Sequence, residues 1–240
     1  MIIEFDGPAD RGPDDARRGP AGQPYRLLRD RIVSGRLRPG EPLSEPRVAA
    51  MFGISRTPVR EMFKRLRDEG LLDIVPQVGT FVARIDIDRV REDQFVREAL
   101  ECRAVELVAE RIGASPSGRR DLAAALDRQA ELVAQGDARG FIDADDDFHA
   151  LLFRLSGHGA AWRTVEAAKV QFDRVRHLSA EDGEQRRTVL AEHRAVVAAI
   201  AAGDGSGAIA TMRSHLRTVF ATIESIAHAH PDVFVCGDGD

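Results

Sequence analysis

Three histidines and one aspartate fall where helices should be burying hydrocarbon. In segment 138–156 the residues recurring at helical spacing are Phe141, Ile142, Asp145, Phe148, His149 and Leu152. Asp145 and His149 are therefore i, i+4 neighbours on an apolar face. Segment 184–202 gives Val189, Leu190, His193, Val196, Val197 and Ile200, and segment 205–229 gives Met212, His215, Leu216, Val219 and Ile223. Burying an imidazole or a carboxylate without a partner is costly. A divalent cation shared by Asp145, His149, His193 and His215 removes that cost for all four. A hydrogen-bonded polar core removes it too, so spacing alone leaves both accounts standing. Imidazole and carboxylate donors suit zinc, nickel, manganese or iron. Thiolate-favouring metals are disfavoured, because Cys102 lies on no matching stripe.

A second constellation is basic. A helix opened by Ser55, with Pro58 in its first turn, places Val59, Met62, Phe63 and Leu66 on one face. Arg56, Arg60, Lys64 and Arg67 then lie together on the other side. Four cations on one side repel one another in isolation but match the phosphates flanking a major groove. A solvated charged stripe is the plain alternative.

The elements around the stripe favour the DNA reading. Tyr25, Leu28 and Ile32 predict a helix that starts near Pro24 and stops at Gly35. Ser44 can cap a short helix with Val48, Ala49 and Phe52 inward, ended by Gly53. After Gly70 come two β-like runs, Leu71–Val75 and Thr80–Ile85, joined through Pro76 and Gly79. Three helices and a hairpin in about sixty residues outline a winged helix-turn-helix.

The net charge of −5 over 240 residues looks wrong for a DNA binder until the chain is divided. Residues 23–84 hold twelve basic and seven acidic side chains, whereas residues 85–240 hold nineteen basic and twenty-seven acidic. A basic polyanion-binding module is thus joined to an acidic one with another task. The acidic part predicts helices over 87–112, 117–135, 138–156, 159–178, 184–202 and 205–229, broken by glycines. Six helices with short links predict a bundle rather than a sheet. The expected fold is mostly α: a winged helix-turn-helix over 23–85, then an all-α antiparallel six-helix bundle over 86–230. The Gly-, Pro- and Asp-rich residues 1–22 read as a disordered tail, and residues 231–240 as a second, shorter one.

Cys102 and Cys236 are too few for a disulfide framework or a four-thiolate zinc site, which fits a reducing, cytoplasmic setting. No apolar run is long enough to span a membrane. Aromatic residues at 5% argue against stacking platforms for single strands. His177, His228 and His230 lie on no such stripe and are expected at the surface.

The segment GRLRPGEPLSEPRVAAMFGISRTPVREMFKRLRDEGLLDIVPQVGTFV resembles, nearly throughout, the DNA-binding domain of the GntR family of bacterial transcription regulators. The run SRTPVRE, then RLRDEGLL and a wing ending in GTFV, carries the likeness. The resemblance implies that Ser55, Arg56, Thr57, Pro58 and Arg60 open the recognition helix, with Lys64 further along its basic face. It places Gly79 at a wing tip near the minor groove, and Arg56 and Arg60 as base or phosphate contacts. Where the family has Arg then Glu, this chain has Pro46 and Arg47, so Arg47 is the cation left at that helix start. Where the wing is often basic, it has Asp73, Ile74 and Gln77.

The acidic half resembles the FCD ligand-binding domain, through REALECRAVELVAERI, a DxxxH motif, AEHRAVVAAIAAGD and MRSHL. In metal-binding members the ligands match Asp145, His149, His193 and His215. The resemblance further implies a small carboxylate effector at the metal, with Arg97 facing it. A helix salt bridge from Arg97 to Glu101 is the equal alternative. In LSGHGA, His158 stands where the family has Asn and is expected to be a polar group of the effector cavity. Six bundle helices suggest the VanR-type branch rather than the seven-helix FadR type. The resemblance implies a homodimer on a pseudo-palindromic double-stranded operator, and a repressor relieved by ligand. Two rival readings are a metalloenzyme using the Asp/His3 set, against which stands the lack of an HExxH pattern, and a DNA-binding protein whose metal is purely structural.

Overall fold

The computed structural model describes residues 22–112, 115–179, 182–229 and 231–235. The basic head comprises α1 (Gly22–Val33), β1 (Pro42–Leu43), α2 (Glu45–Phe52), α3 (Arg56–Asp68), β2 (Leu72–Val75) and β3 (Gly79–Val82). The strands form one antiparallel sheet in the order β1-β3-β2, with Leu72 opposite Val82 and Val75 opposite Gly79. Ser44 caps α2, its Oγ accepting the Arg47 amide at 3.2 Å. Gly53 ends α2 at φ 64°, a left-handed conformation that costs glycine no Cβ clash. Val59, Met62, Phe63 and Leu66 of α3 are buried against Leu28 and Ile32 of α1, Val48 of α2 and Leu71, Leu72 and Val82. Each such side chain contributes about 1.5–3 kcal/mol by burial. That packing leaves the arginine and lysine face of α3 in solvent.

A short strand, β4 (Ile85–Asp86), leads into α4 (Ile87–Arg111), which Asp86 caps by accepting the amides of Asp88 and Arg89. The bundle continues with α5 (Pro116–Gln135), α6 (Ala138–Leu155), a 3-10 turn at Gly159–Ala161, α7 (Trp162–Ala168), α8 (Val170–Ser179), α9 (Gly183–Ala201) and α10 (Gly205–Ala229). Helix α4 packs against α6, α9 and α10, and α5 against α6 and α9. Val105, Val108, Leu122, Phe148, Leu152, Val196, Ile200 and Met212 fill the space between them. A winged helix-turn-helix followed by a helical bundle is the architecture.

Two expectations need correction. Segment 159–178 is not one helix. It breaks at Lys169 (φ −81°, ψ 13°), a residue 2% exposed whose ammonium donates to Asp146 of α6 and Asp173 of α8, each at 2.7 Å. A buried ammonium must be paired, and that requirement outweighs local helical periodicity. Among the described residues seven bundle helices therefore stand where six were expected, and helix counting no longer separates the two branches named above. Nor is the segment from Pro231 a tail as far as Val235. Strand β5 (Phe234–Val235) pairs in parallel with β4, and Phe234 is buried among Ile85, Val90, Phe172, Val175 and Ile223. Residues 1–21 and 236–240 (Cys236 among them), the side chains of Val219 and His228, and His230 lie outside the described residues. Among the described residues no helix is long and apolar enough to cross a membrane.

Candidate metal centre and nucleic-acid interface

Helix α6 brings Asp145 and His149, α9 brings His193, and α10 brings His215 to one place inside the bundle. The Nε2 atoms of His193 and His215 are 3.3 Å apart, and those of His215 and His149 are 3.4 Å apart. Asp145 Oδ1 lies 3.6 Å from His193 Nε2, and Oδ2 lies 3.7 Å from His149 Nε2. The ring of Phe148 stacks on His193 at 4.2 Å between centroids.

The other ring nitrogens each face an oxygen acceptor. His193 Nδ1 meets Gln129 Oε1 at 2.8 Å, and the Gln129 amide is oriented by donating its NH2 to the Ala144 carbonyl. His215 Nδ1 meets Glu192 Oε2 at 2.8 Å, and Glu192 also accepts from Thr218. His149 Nδ1 pairs with Glu101 Oε2, deep in the bundle. Each partner is an acceptor, so this network assigns the proton of a neutral ring to Nδ1 and turns a lone pair toward the shared point. The His215 lone pair lies 3.3 and 3.4 Å from the other two with no proton to share, and all three ring nitrogens fall within 4.8 Å of one another. A cation with bonds of about 2.0–2.1 Å at near-tetrahedral angles sets neighbouring nitrogens about 3.3–3.4 Å apart, so the donors fit one.

The electrostatics agree. Burial, then the nearby His215, drives His193 well below its usual titration range and keeps it a neutral ligand. Burial lowers His215 as well. Burial alone would raise Asp145, but the Arg176 guanidinium at 2.8 Å outweighs it and holds the carboxylate ionised. Glu101, despite its burial, is pulled down to about 2, first of all by the Arg97 guanidinium. Burial pushes the Cys102 thiol up to about 11, so it offers no thiolate here.

A cavity of about 80 Å³ adjoins the centre, reached by Asp145 and His215, with Arg97 and Arg176 on its polar side and Phe141 and Val189 on its apolar side. Arg97 lines it and also makes the salt bridge, with Nε 2.8 Å from Glu101 Oε1. His158 does not line it. The chain leaves α6 through Gly157 at φ 83°, which turns His158 outward to an exposed junction, correcting the expected cavity role. His177 is half-buried rather than on the surface. Arg176 was missed. It pairs with Asp145, Asp146 and Asp173. The signal was the run Asp145, Asp146 and Asp147, whose repulsion calls for cations from another element.

On the head, Ser55, Arg56, Thr57, Arg60 and Lys64 are exposed along α3, Pro58 is half-buried in its first turn, and Arg47 is exposed on α2. Gly79 is exposed where the wing turns into β3. Arg60 Nε donates to Glu45 Oε2 at 2.9 Å, a contact between α2 and α3 that spacing did not suggest. The wing tip carries the exposed apolar residues Ile74, Val75 and Val78.

A helix with an exposed basic face, set on a winged scaffold above a helical bundle with an internal histidine cluster, defines a class of DNA-binding protein that carries a separate helical domain. Residues 20–82 match the gntR family of bacterial regulatory proteins, and residues 94–218 match the FCD domain. An HTH-type transcriptional regulator in an unstable DNA locus of Streptomyces ambofaciens is 39% identical, with 88% of this chain and 87% of that one covered. The HTH-type transcriptional repressor RspR of Escherichia coli is 34% identical, over 88% of this chain and 92% of that one. A GntR transcriptional regulator from a Rhodococcus species is 26% identical with a TM-score of 0.69, covering 87% of this chain and 99% of that one. Escherichia coli McbR/YncC shares the fold at a TM-score of 0.71 and 22% identity, over 87% and 99%. The chain belongs to the gntR family of bacterial transcription regulators and carries an FCD domain. Its relatives are regulators, not enzymes. Such regulators bind DNA operators through the head and small-molecule effectors through the FCD domain.

Proposed function

We propose that this regulator is a cytoplasmic homodimeric repressor whose grip on a pseudo-palindromic operator is set by a divalent cation and a small organic acid bound in the bundle. The observation that carries the reading is the convergence of three imidazoles, two held by hydrogen bonds from Nδ1 to Gln129 and Glu192 and the third set against Glu101. Asp145, His149, His193 and His215 would hold the cation, with zinc, nickel, manganese or iron all suited to the donor set. When bound, the cation supplies a Lewis-acidic anchor for an anionic group. Arg97 and Arg176 line the cavity with guanidinium groups, and Phe141 and Val189 add apolar lining. The winged head over 23–85 supplies operator contact through Arg56 and Arg60, supported by Arg47, Lys64 and the wing. The bundle over 86–230 supplies the ligand site. RspR's description as a repressor supports the same sign of regulation.

The test is the metal content of the purified chain beside a His149→Ala, His193→Ala double variant. One equivalent in wild type and none in the variant supports the centre. Loss of operator affinity on adding a small carboxylate, in wild type alone, then supports its regulatory role. Wild type that binds no divalent cation after reconstitution returns the histidines to a polar core.

A further inference from the structure

The segment joining head and bundle, Ala83–Asp86, is held from two sides. On one side, α8 reaches it: Arg174 Nη2 donates to the Ala83 carbonyl at 2.5 Å and Nη1 to the Arg84 carbonyl at 3.4 Å. In the first turn of α8, contacts to the head itself appear. Gln171 Nε2 donates to the Gly70 carbonyl at 2.8 Å, and Val170 completes the apolar core beneath α3. Asp93 of α4 accepts the Gln171 and Phe172 amides at 3.2 and 3.4 Å, which fixes where α8 starts. On the other side, β5 pairs with β4, and the Ile85 amide donates to the Val233 carbonyl at 2.9 Å.

The same short helix forms part of the cavity wall. Phe172 and Arg176 line the cavity. The Arg97 guanidinium lies 4.1 Å over the Phe172 ring, and Arg176 holds Asp145. Phe172 also belongs to the apolar cluster that buries Ile85 and Phe234. One aromatic ring therefore touches both the ligand site and the seat of β5.

We propose that β5 and Arg174 form a clasp on the interdomain segment that fixes the DNA-binding head, and that Phe172 makes this clasp respond to what occupies the bundle site. A ladder two residues long, secured by one buried phenylalanine, opens far more readily than the bundle unfolds, as a switchable element must. An occupant that binds better when the Phe172 ring sits in one place shifts the clasp toward that state. The response to an occupant rests on the proposed ligand site; the clasp itself does not.

Arg84 is exposed inside the clasp, so trypsin can report on it. Three variants serve beside wild type: a chain shortened to end at Asp232, full-length Phe234→Ala, and full-length Val235→Pro, which breaks the ladder without removing a buried ring. Mass spectrometry follows cleavage at Arg84–Ile85, calorimetry follows Zn2+ binding, and circular dichroism follows unfolding of the bundle. The expected result is at least tenfold faster cleavage in all three variants, with Zn2+ binding retained. Cleavage at the wild-type rate in the truncated and Val235→Pro chains overturns the clasp. For the coupling, Zn2+ alone should change the cleavage rate severalfold in wild type and not in Phe234→Ala. Zn2+ that binds wild type without changing cleavage overturns the coupling and leaves the ligand site standing. Wild type that binds no Zn2+ removes the ligand site and the coupling together, while the clasp is still judged by the first arm.

Discussion

The head and the bundle place their functional residues in opposite ways. On α3 the residues assigned to DNA stand in water, and the fold is held by the other face, through Val59, Met62, Phe63 and Leu66. In the bundle the residues assigned to ligand are themselves core: His193 stacks on Phe148, and Arg97 and Glu101 pair in the interior. Function and stability are therefore separable in the head and fused in the bundle. A surface can change its partners one side chain at a time, whereas a buried site changes only together with its supports.

That contrast breaks most sharply at Glu101. Glu101→Ala leaves Arg97 buried without its carboxylate and should cost about 3–5 kcal/mol in denaturant unfolding. A loss below 1 kcal/mol would place Arg97 in water and dissolve the distinction. Next in size, Zn2+ at a hundredfold excess over its dissociation constant should stabilise wild type by about 2.7 kcal/mol and His149→Ala by much less, read by thermal shift. On the head, Arg56→Ala and Arg60→Ala should each cost about 1–3 kcal/mol in affinity for a duplex selected from a randomised library. Their unfolding midpoints should stay at the wild-type value, as for other exposed substitutions.

A smaller effect concerns Asp93, which burial raises to about 6 although two backbone amides oppose the shift. Between its ordinary value and about 6, the folded chain holds a proton that the unfolded chain has released. This group therefore favours folding at acidic pH, and its contribution is lost as pH rises from about 4 through 6. Asp93→Asn should flatten the pH profile of stability over that window. Smallest is Glu45→Gln, which loosens the exposed Arg60 pair by less than about 1 kcal/mol and should alter affinity only a few-fold.

The sequence made the head readable because capping and periodicity there are local. Ser44, Gly53 and the apolar spacing of α3 each act within a few residues of themselves. The polar stripe positions of Asp145, His149, His193 and His215 were readable for the same reason. Their partners were not. Glu101, Gln129, Glu192 and Arg176 come from other helices, and no spacing within one segment announces a contact made across the bundle. Lys169 was lost because a single buried charge can break a helix whose periodicity looks continuous. Strand β5 was lost because a two-residue pairing is set by its distant partner, not by its own composition.

The network around the four proposed ligands also accounts for charge that the bundle keeps inside. Following hydrogen bonds and ion pairs outward among the described residues gathers five carboxylates, Asp145, Asp146, Asp173, Glu101 and Glu192, with Arg97, Lys169 and Arg176. Arg186, a further buried cation, lines the same cavity. Part of the acidity that distinguishes the bundle from the head is thus paired with cations within the fold rather than spread over a surface.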